Sequence, residues 1–432
     1  MKLILFFSLS VFISFHPVLT AAKEPLLINQ IAVDPRDPRI LYAAARPQGV
    51  LKSTDQGVTW HPARQGLTNT SVYYIVVNPA NPKILYVGTF GGGVYKSEDA
   101  GGHWAEANAG LNNTNIHALV LNPLRPDQLL VSTSTGELFL TDNGGKDWSP
   151  FDEGLPSIPD EVYASFLIFP NEPAGVYLAQ GGIFKRPFAA PRWQAIEQNL
   201  KEQVITALAY DPDHKTFYAG TQKEGLFTTT VSSPPVSGAL RSDWSSVAGP
   251  FSKQWIRLIV VDPANPSLLY VAVINQGLYK STDRGATWQE VDTGLPKQEV
   301  ESLVIDSATP KFLYAGTHNN GLFLSRDGGL TWSAPTSIAV EPVKQIIASL
   351  PGQDRQRPSQ DPRLVPPPVF AKCNQCHGWT DPVVNQKSTI WRVPPNRRDW
   401  RPTVLRMSPG ARLNPAEEEE IITFLTAYGN RN

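Results

Sequence analysis

The chain has 432 residues, a formal net charge of −1 and two cysteines. That length predicts more than one domain; near-neutral charge excludes the basic footprint of a nucleic-acid or anionic-membrane binder, and two cysteines exclude a disulfide framework. The 39 Pro, 32 Gly and 11 Trp imply many turns and a recurring aromatic device.

The first element is a leader. Lys2 precedes the apolar run Leu3 to Phe15, and Pro17, Val18, Leu19, Thr20, Ala21 and Ala22 follow it. This order predicts a secretory signal peptide over residues 1–22, cleaved near Ala21 or Ala22. An uncleaved anchor is the alternative, but a run interrupted by Ser8, Ser10 and Ser14 falls short of the roughly 20 apolar residues a span needs. No cysteine stands here for lipid attachment. The expectation is a periplasmic or otherwise exported protein with no integral membrane span after cleavage.

Residues 23–350 are organised by a repeat. Ser53 to Trp60 reads S-x-D-x-G-x-T-W and returns at Ser97 to Trp104, Ser281 to Trp288 and Ser325 to Trp332. His103 takes the Thr place in the second copy. Thr141 to Trp148 is a weaker copy with Asn143 in the Asp place, and two degenerate copies keep only Trp193 and Trp244. The seven Trp lie 44, 44, 45, 51, 44 and 44 residues apart. A second marker runs in phase: Asp34-Pro35, Asn78-Pro79, Asn122-Pro123, Asp211-Pro212, Asp262-Pro263 and Asp306-Ser307. Each unit reads as four short strands; in the second these are predicted over Val72 to Val77, Ile84 to Gly88, Gly93 to Lys96 and Trp104 to Ala107. Four strands per 40–50 residues, seven times over, predict a seven-bladed β-propeller, whose closed ring needs no disulfides. Leu27 to Val33 and Val343 to Ser349 both fit the first strand of a unit, which leaves two alternatives: either of them closes the ring, or one of them pairs on the outside.

The octapeptide resembles the Asp-box, or BNR repeat, of sialidases, sortilin-type receptors, some xyloglucanases and photosystem II assembly factors. The resemblance implies a rim hairpin in which Asp bonds the turn backbone, Gly supplies a positive φ and Trp packs between blades. Asp55, Asp99, Asp283 and Asp327 are therefore expected to be structural. The histidines at 61, 103, 117, 214 and 318 look scattered, with His61 and His103 adjoining Asp-box Trp residues. A glycosidase would need two facing carboxylates; Asp160, Glu161, Glu224 and Glu301 qualify only by lying near strand ends. No arginine cluster of the sialidase kind can be picked out.

From residue 351 to 368 six Pro and little apolar content predict an extended linker. Residues 369–432 then form a domain of about 64 residues, small enough to need a staple. Cys373-Asn374-Gln375-Cys376-His377 spells C-x-x-C-H, the attachment signal of a c-type haem. Cys373 and Cys376 would form the thioethers, and His377 would be the proximal iron ligand. The alternatives are a redox disulfide, half a zinc site, or chance. A zinc site would need further ligands, yet these are the only cysteines and no His follows His377. Met407 is the one thioether left once Met1 departs with the leader, which makes it the candidate distal ligand; an ordinary core Met is the alternative. Asn414-Pro415-Ala416-Glu417 opens a helix whose apolar stripe is Ile421, Phe424, Leu425 and Tyr428, ended by Gly429.

Residues Trp400 to Gly429 resemble small single-haem class I cytochrome c domains of bacterial exported proteins. The resemblance implies a small all-α cytochrome c domain with one covalent haem c and His/Met ligation. Pro366, Pro367 and Pro368 depart from it by crowding the usual N-terminal helix. Arg392, Arg397 and Arg398 are either propionate partners or a solvated face. The whole therefore reads as a mainly β chain, a seven-bladed β-propeller followed by that all-α domain. Its expected function is single-electron transfer to redox partner proteins, with the propeller as docking platform. Three rivals stand beside it: a propeller oxidoreductase or hydrolase using the haem as acceptor, a complex-assembly factor, and a haem sensor with an open coordination site.

Overall fold

The computed structural model describes residues 26–340, apart from 157–164, 170–174, 181, 197–199, 201–202, 231–242 and 298–299. The segments read above as a signal peptide, as a strand over Val343 to Ser349 and as a linker, together with Cys373, Cys376, His377 and Met407, lie outside the described residues.

The repeat folds as seven antiparallel sheets, each made by one pass of the chain out from the centre. In the second blade the strands are Val72–Val77, Leu85–Thr89, Gly93–Ser97 and Ala105–Glu106. They match the predicted four, with the outer strand trimmed to two residues because Trp104 turns inward ahead of it. The first strands of the seven blades are Leu27–Val33, Val72–Val77, Ile116–Leu121, Ser165–Phe169, Ile205–Asp211, Ile256–Val261 and Val300–Ile305. They form the inner ring around the propeller axis, blade 7 against blade 1 included.

The core is seven seams between blades rather than one centre. Each seam holds one apolar cluster drawn from two neighbouring blades and one of the seven repeat Trp: Trp60, Trp104, Trp148, Trp193, Trp244, Trp288 or Trp332. Burial of this kind is worth roughly 3–5 kcal/mol per Trp when tested by truncation to Ala. The degenerate units thus keep the residue that fills the seam. The indole N–H of Trp104 donates to Ala63 O at 2.8 Å, that of Trp148 to Ala107 O at 2.8 Å, and that of Trp332 to Val291 O at 2.8 Å, each carbonyl belonging to the preceding blade.

The Asp-box carboxylates are structural, as expected. Asp55 accepts from the Thr59 amide at 2.9 Å and from the Thr59 hydroxyl, and Ser53 Oγ donates to it at 2.8 Å. Asp283 and Asp327 repeat the pattern with Thr287 and Thr331. At His103 only the backbone bond survives, from its amide to Asp99 at 2.8 Å. Two successive residues of each turn are left-handed: Gln56 and Gly57 at φ 57° and 78°, Arg284 and Gly285 at 60° and 90°. Only the second place repeats Gly throughout.

The turn also presents a carbonyl to its neighbour. Tyr42 OH donates to Ala100 O of the next blade at 3.2 Å, Tyr86 OH to Gly144 O at 3.1 Å, Tyr218 OH to Arg284 O at 3.2 Å and Tyr270 OH to Gly328 O at 3.0 Å. Lys52 and Lys280 add Nζ contacts of 2.8 and 2.9 Å to two of the same carbonyls. The in-phase Asp/Asn marker closes the turn between first and second strands. Asp262 Oδ1 accepts from the amides of Ala264 and Asn265 at 2.8 and 3.3 Å, and Asn78 and Asp306 do the same in their blades.

The seam between blades 7 and 1 is built differently. Leu27–Val33 pairs with Leu41–Arg46 as the inner strand of blade 1. Blade 7 has three strands and a single outer bridge, Leu324 to Ser333. The chain then crosses to lay Ser337–Ile338 parallel to Thr59 and Trp60 on the outer edge of blade 1. Tyr314 OH makes no hydrogen bond here, while Trp60 Nε1, like Trp288 Nε1 in blade 6, donates to its own turn, at Gly57 O 3.0 Å away.

Candidate ligand site at the channel mouth

In an up-and-down blade the start of the first strand and the end of the second lie at one face, opposite the Asp-boxes. Among the described residues, the first strand carries a bulge at that face in six blades, between Ile28 and Gln30, Val72 and Tyr74, Ile116 and Ala118, Ile205 and Ala207, Ile256 and Leu258, and Val300 and Ser302. The extra residues are Asn29, Tyr73, His117, Thr206, Arg257 and Glu301. A bulge leaves one residue out of the ladder and re-aims its side chain. Beside them stand Arg46, the last residue of its second strand, and the residues that directly follow the other six second strands: Phe90, Ser134, Gln180, Gln222, Ile274 and His318. Both sets differ in almost every blade, whereas the Asp-box, the Asx turn and the seam Trp repeat. The scaffold therefore does not dictate these identities.

The best-connected arc runs over blades 6, 7, 1 and 2. Glu301 accepts from Arg257 Nε at 2.8 Å and from Arg257 Nη2 as well, and His318 Nδ1 lies 3.1 Å from its other oxygen. Burial alone would push the Glu301 carboxyl up; Arg257 and His318 outweigh it and hold it at about 2. Such a carboxylate stays ionised and is a poor general acid, which must hold a proton near neutral pH. In blade 1, Arg46 Nε donates to Asn29 Oδ1 at 2.8 Å and Nη1 donates to Tyr73 OH. The Arg46 guanidinium carbon lies 3.9 Å from the centre of the Tyr73 ring, and Tyr73 meets Phe90 at 6.1 Å between centroids. Tyr74 ties the arc together: burial pushes its hydroxyl up to about 12, and Arg257, Tyr73, Glu301 and Arg46 all act on it.

Of the residues singled out in the sequence, Glu301 and His318 come together here and His117 shares the bulge ring. Glu224 is exposed in a blade 5 turn, with its amide on Thr221 Oγ1 at 2.9 Å. Asp160 and Glu161 lie outside the described residues. His61 is exposed, His103 lines a groove of about 500 Å³ between blades 2 and 3 on the opposite face, and His214 sits 3.1 Å from buried Asp211. The reading of all five His as scattered is thus half right. Arg46, Arg257 and Tyr73 were missed; the available signal was their phase with the repeat, since residues 29, 73 and 117 and then 257 and 301 stand 44 apart.

These features define a seven-bladed β-propeller with Asp-box rims and a polar, strongly hydrogen-bonded channel mouth. A family model described as sortilin, neurotensin receptor 3, matches residues 48–164. Among solved structures, an ancestral GH74 enzyme aligns with a TM-score of 0.59 and 19% identity, covering 72% of this chain and 46% of its own. The GH74 enzyme of Niastella koreensis aligns at 0.57 and 16%, covering 73% and 54%. YCF48 from Cyanidioschyzon merolae aligns at 0.53 and 15% identity, covering 71% of this chain and 96% of its own. This chain therefore spans about half the length of the GH74 enzymes, and nearly all of YCF48 aligns with it. At these identities the likeness concerns the fold. No curated protein matches the chain. Among the described residues no helix is long and apolar enough to cross a membrane.

Proposed function

We propose that the protein is an exported electron-transfer protein in which the propeller is a docking platform and one c-type haem is carried after it. The observation that carries this reading is Cys373-Asn374-Gln375-Cys376-His377, a complete attachment signal made from the chain's only two cysteines. The donor set fits the group: two thiols for the vinyl carbons, the His377 imidazole and the Met407 thioether for the two axial positions. When bound, such a haem accepts and gives up single electrons, and His/Met ligation favours its reduced form. The leader over residues 1–22 supports delivery to the compartment where redox partner proteins would be met. The arrested Glu301 carboxylate at the channel mouth supports a platform over an acid–base catalyst.

The test is a carbon monoxide difference spectrum of the dithionite-reduced full chain, produced in cells that mature c-type cytochromes. A low-spin reduced spectrum indifferent to carbon monoxide is expected, with Met407 in the sixth position. Ready carbon monoxide binding would remove Met407 from that position and favour a sensor. Absence of covalent haem would sink the reading of Cys373, Cys376 and His377.

The assembly-factor reading is favoured by one specific observation. Nearly the whole length of YCF48 aligns with this chain, and YCF48 has been solved bound to a D1 peptide, in a structure with a TM-score of 0.53 to this chain. A partner complex that forms equally well with the Cys373 and Cys376 thiols replaced by Ser would favour it.

A further inference from the structure

The two arginines of the mouth arc are in different electrostatic states. Arg257 is neutralised by Glu301. Arg46 is half-buried, and its partners are the amide oxygen of Asn29 and the hydroxyl and ring of Tyr73, all of them neutral. No carboxylate among the described residues forms an ion pair with it. A partly desolvated guanidinium held in one orientation by Nε and Nη1 keeps its second terminal nitrogen, Nη2, available as a donor. Guanidinium groups fixed in this way match carboxylate oxygens well. The platform beside it is aromatic, Tyr73 against Phe90.

We propose that Arg46 is the anchor of a binding site for a small carboxylate-bearing ligand. The carboxylate would meet the guanidinium at the channel mouth, and a flat or ring-shaped body beside it would rest on Tyr73 and Phe90. Three observations point the same way. Asn29, Arg46, Tyr73 and Phe90 occupy the two ring positions that vary from blade to blade, so blade packing does not account for them. The Asn29 and Tyr73 bulges bring their side chains to the same guanidinium from two different blades. And the neighbouring acid, Glu301, is already engaged by Arg257 and His318, so among the described residues Arg46 is the cation of this arc without a carboxylate partner. The inference rests on the propeller alone and is independent of the haem reading.

The experiment uses the full chain and matched probes: benzoate against benzamide, and glucuronate against glucose, by isothermal titration at pH 7. Arg46 labelling by p-hydroxyphenylglyoxal, read by mass spectrometry, is a second readout. The carboxylate member of at least one pair is expected to bind about tenfold or more tightly than its neutral counterpart, and to protect Arg46 from the label. Arg46→Gln should remove that preference, Arg46→Lys should restore part of it, and Arg39→Gln, at an exposed arginine paired with Asp37, should leave it intact. Circular dichroism of each variant separates a lost site from a lost fold. The proposal is overturned if neutral and anionic members bind alike, if none of the four probes binds, or if a folded Arg46→Gln protein keeps the preference.

Discussion

A carboxylate that accepts several hydrogen bonds from its own turn is favoured in its ionised form, and the Asp-boxes carry this to the rim of the molecule. Slight burial raises the Asp327 carboxyl, but the Thr331 hydroxyl and amide and the Ser325 hydroxyl prevail and bring it to about 2. Because the folded value is depressed, the stabilisation is complete above the unfolded value near 3.9 and is lost as pH falls toward 2. Asp327→Ala should cost about 0.5–1 kcal/mol at pH 7, little because the group faces water. It should also shrink the drop in thermal midpoint between pH 4 and pH 2, followed by circular dichroism. Glu301 differs in being enclosed. Glu301→Gln should cost about 2–4 kcal/mol in urea unfolding, since it removes the counter-charge of Arg257. Gly316 is a third kind of residue effect. A Cβ there would lie 2.5 Å from Ile28 Cγ2 and 2.8 Å from Ile28 O of the next blade. Gly88 and Gly220 face Ile116 and Ile256 in the same way, at 2.7 and 2.6 Å. Gly316→Ala should therefore lower stability by about 1–3 kcal/mol, read from the urea midpoint.

At the scale of the blade, the hairpin turn does two jobs, closing its own strands and offering a carbonyl to the preceding blade. The tyrosine clamp is present between blades 1 and 2, 2 and 3, 5 and 6, and 6 and 7. At the closing seam Tyr314 is buried in the equivalent place with its hydroxyl unbonded. The two positions should respond oppositely to the same substitution. Tyr86→Phe should cost about 1 kcal/mol, whereas Tyr314→Phe should be neutral or mildly stabilising, because it removes a buried hydroxyl without a partner. Equal losses in urea unfolding would show that the clamp is not what distinguishes the seams. The seam pattern was readable in advance through the spacing of Trp, whose phase is imposed by blade size. The clamp was not, because Tyr42 and Ala100 are 58 residues apart and only the ring brings them together.

For the whole molecule, closure depends on a strap laid on the outside of blade 1, where Ile338 packs against the cluster of the blade 7–blade 1 seam. Ile338→Asp should lower the thermal midpoint more than an Asp placed at exposed Leu124, and a match between the two would dismiss the strap as a closing device. The propeller buries its seven seams without any cysteine, so replacing Cys373 and Cys376 by Ser should remove the covalent haem proposed for those thiols while leaving the propeller's unfolding transition in place. A propeller that failed to fold in that variant would contradict the division into two independent parts.

The sequence alone determined the number of blades, the four-strand plan that six of them follow, the structural role of the Asp-box acids and the place of the seam tryptophans; blade 7, with three strands and one outer bridge, departs from that plan. All of these follow from a local pattern repeated with constant phase, and local hydrogen bonding and periodic burial are what a linear chain displays. It also carries the C-x-x-C-H pattern on which the haem proposal rests, a pattern confined to five consecutive residues. The tertiary structure decided which strand closes the ring, that the strap runs outside it, and that Arg257, Glu301 and His318 meet while Arg46 meets Asn29 and Tyr73. Bulges set that last arrangement. A bulge shifts one residue out of an alternating pattern that otherwise reads as unbroken strand, and the partners it recruits come from neighbouring blades, so only closure of the ring brings them within reach.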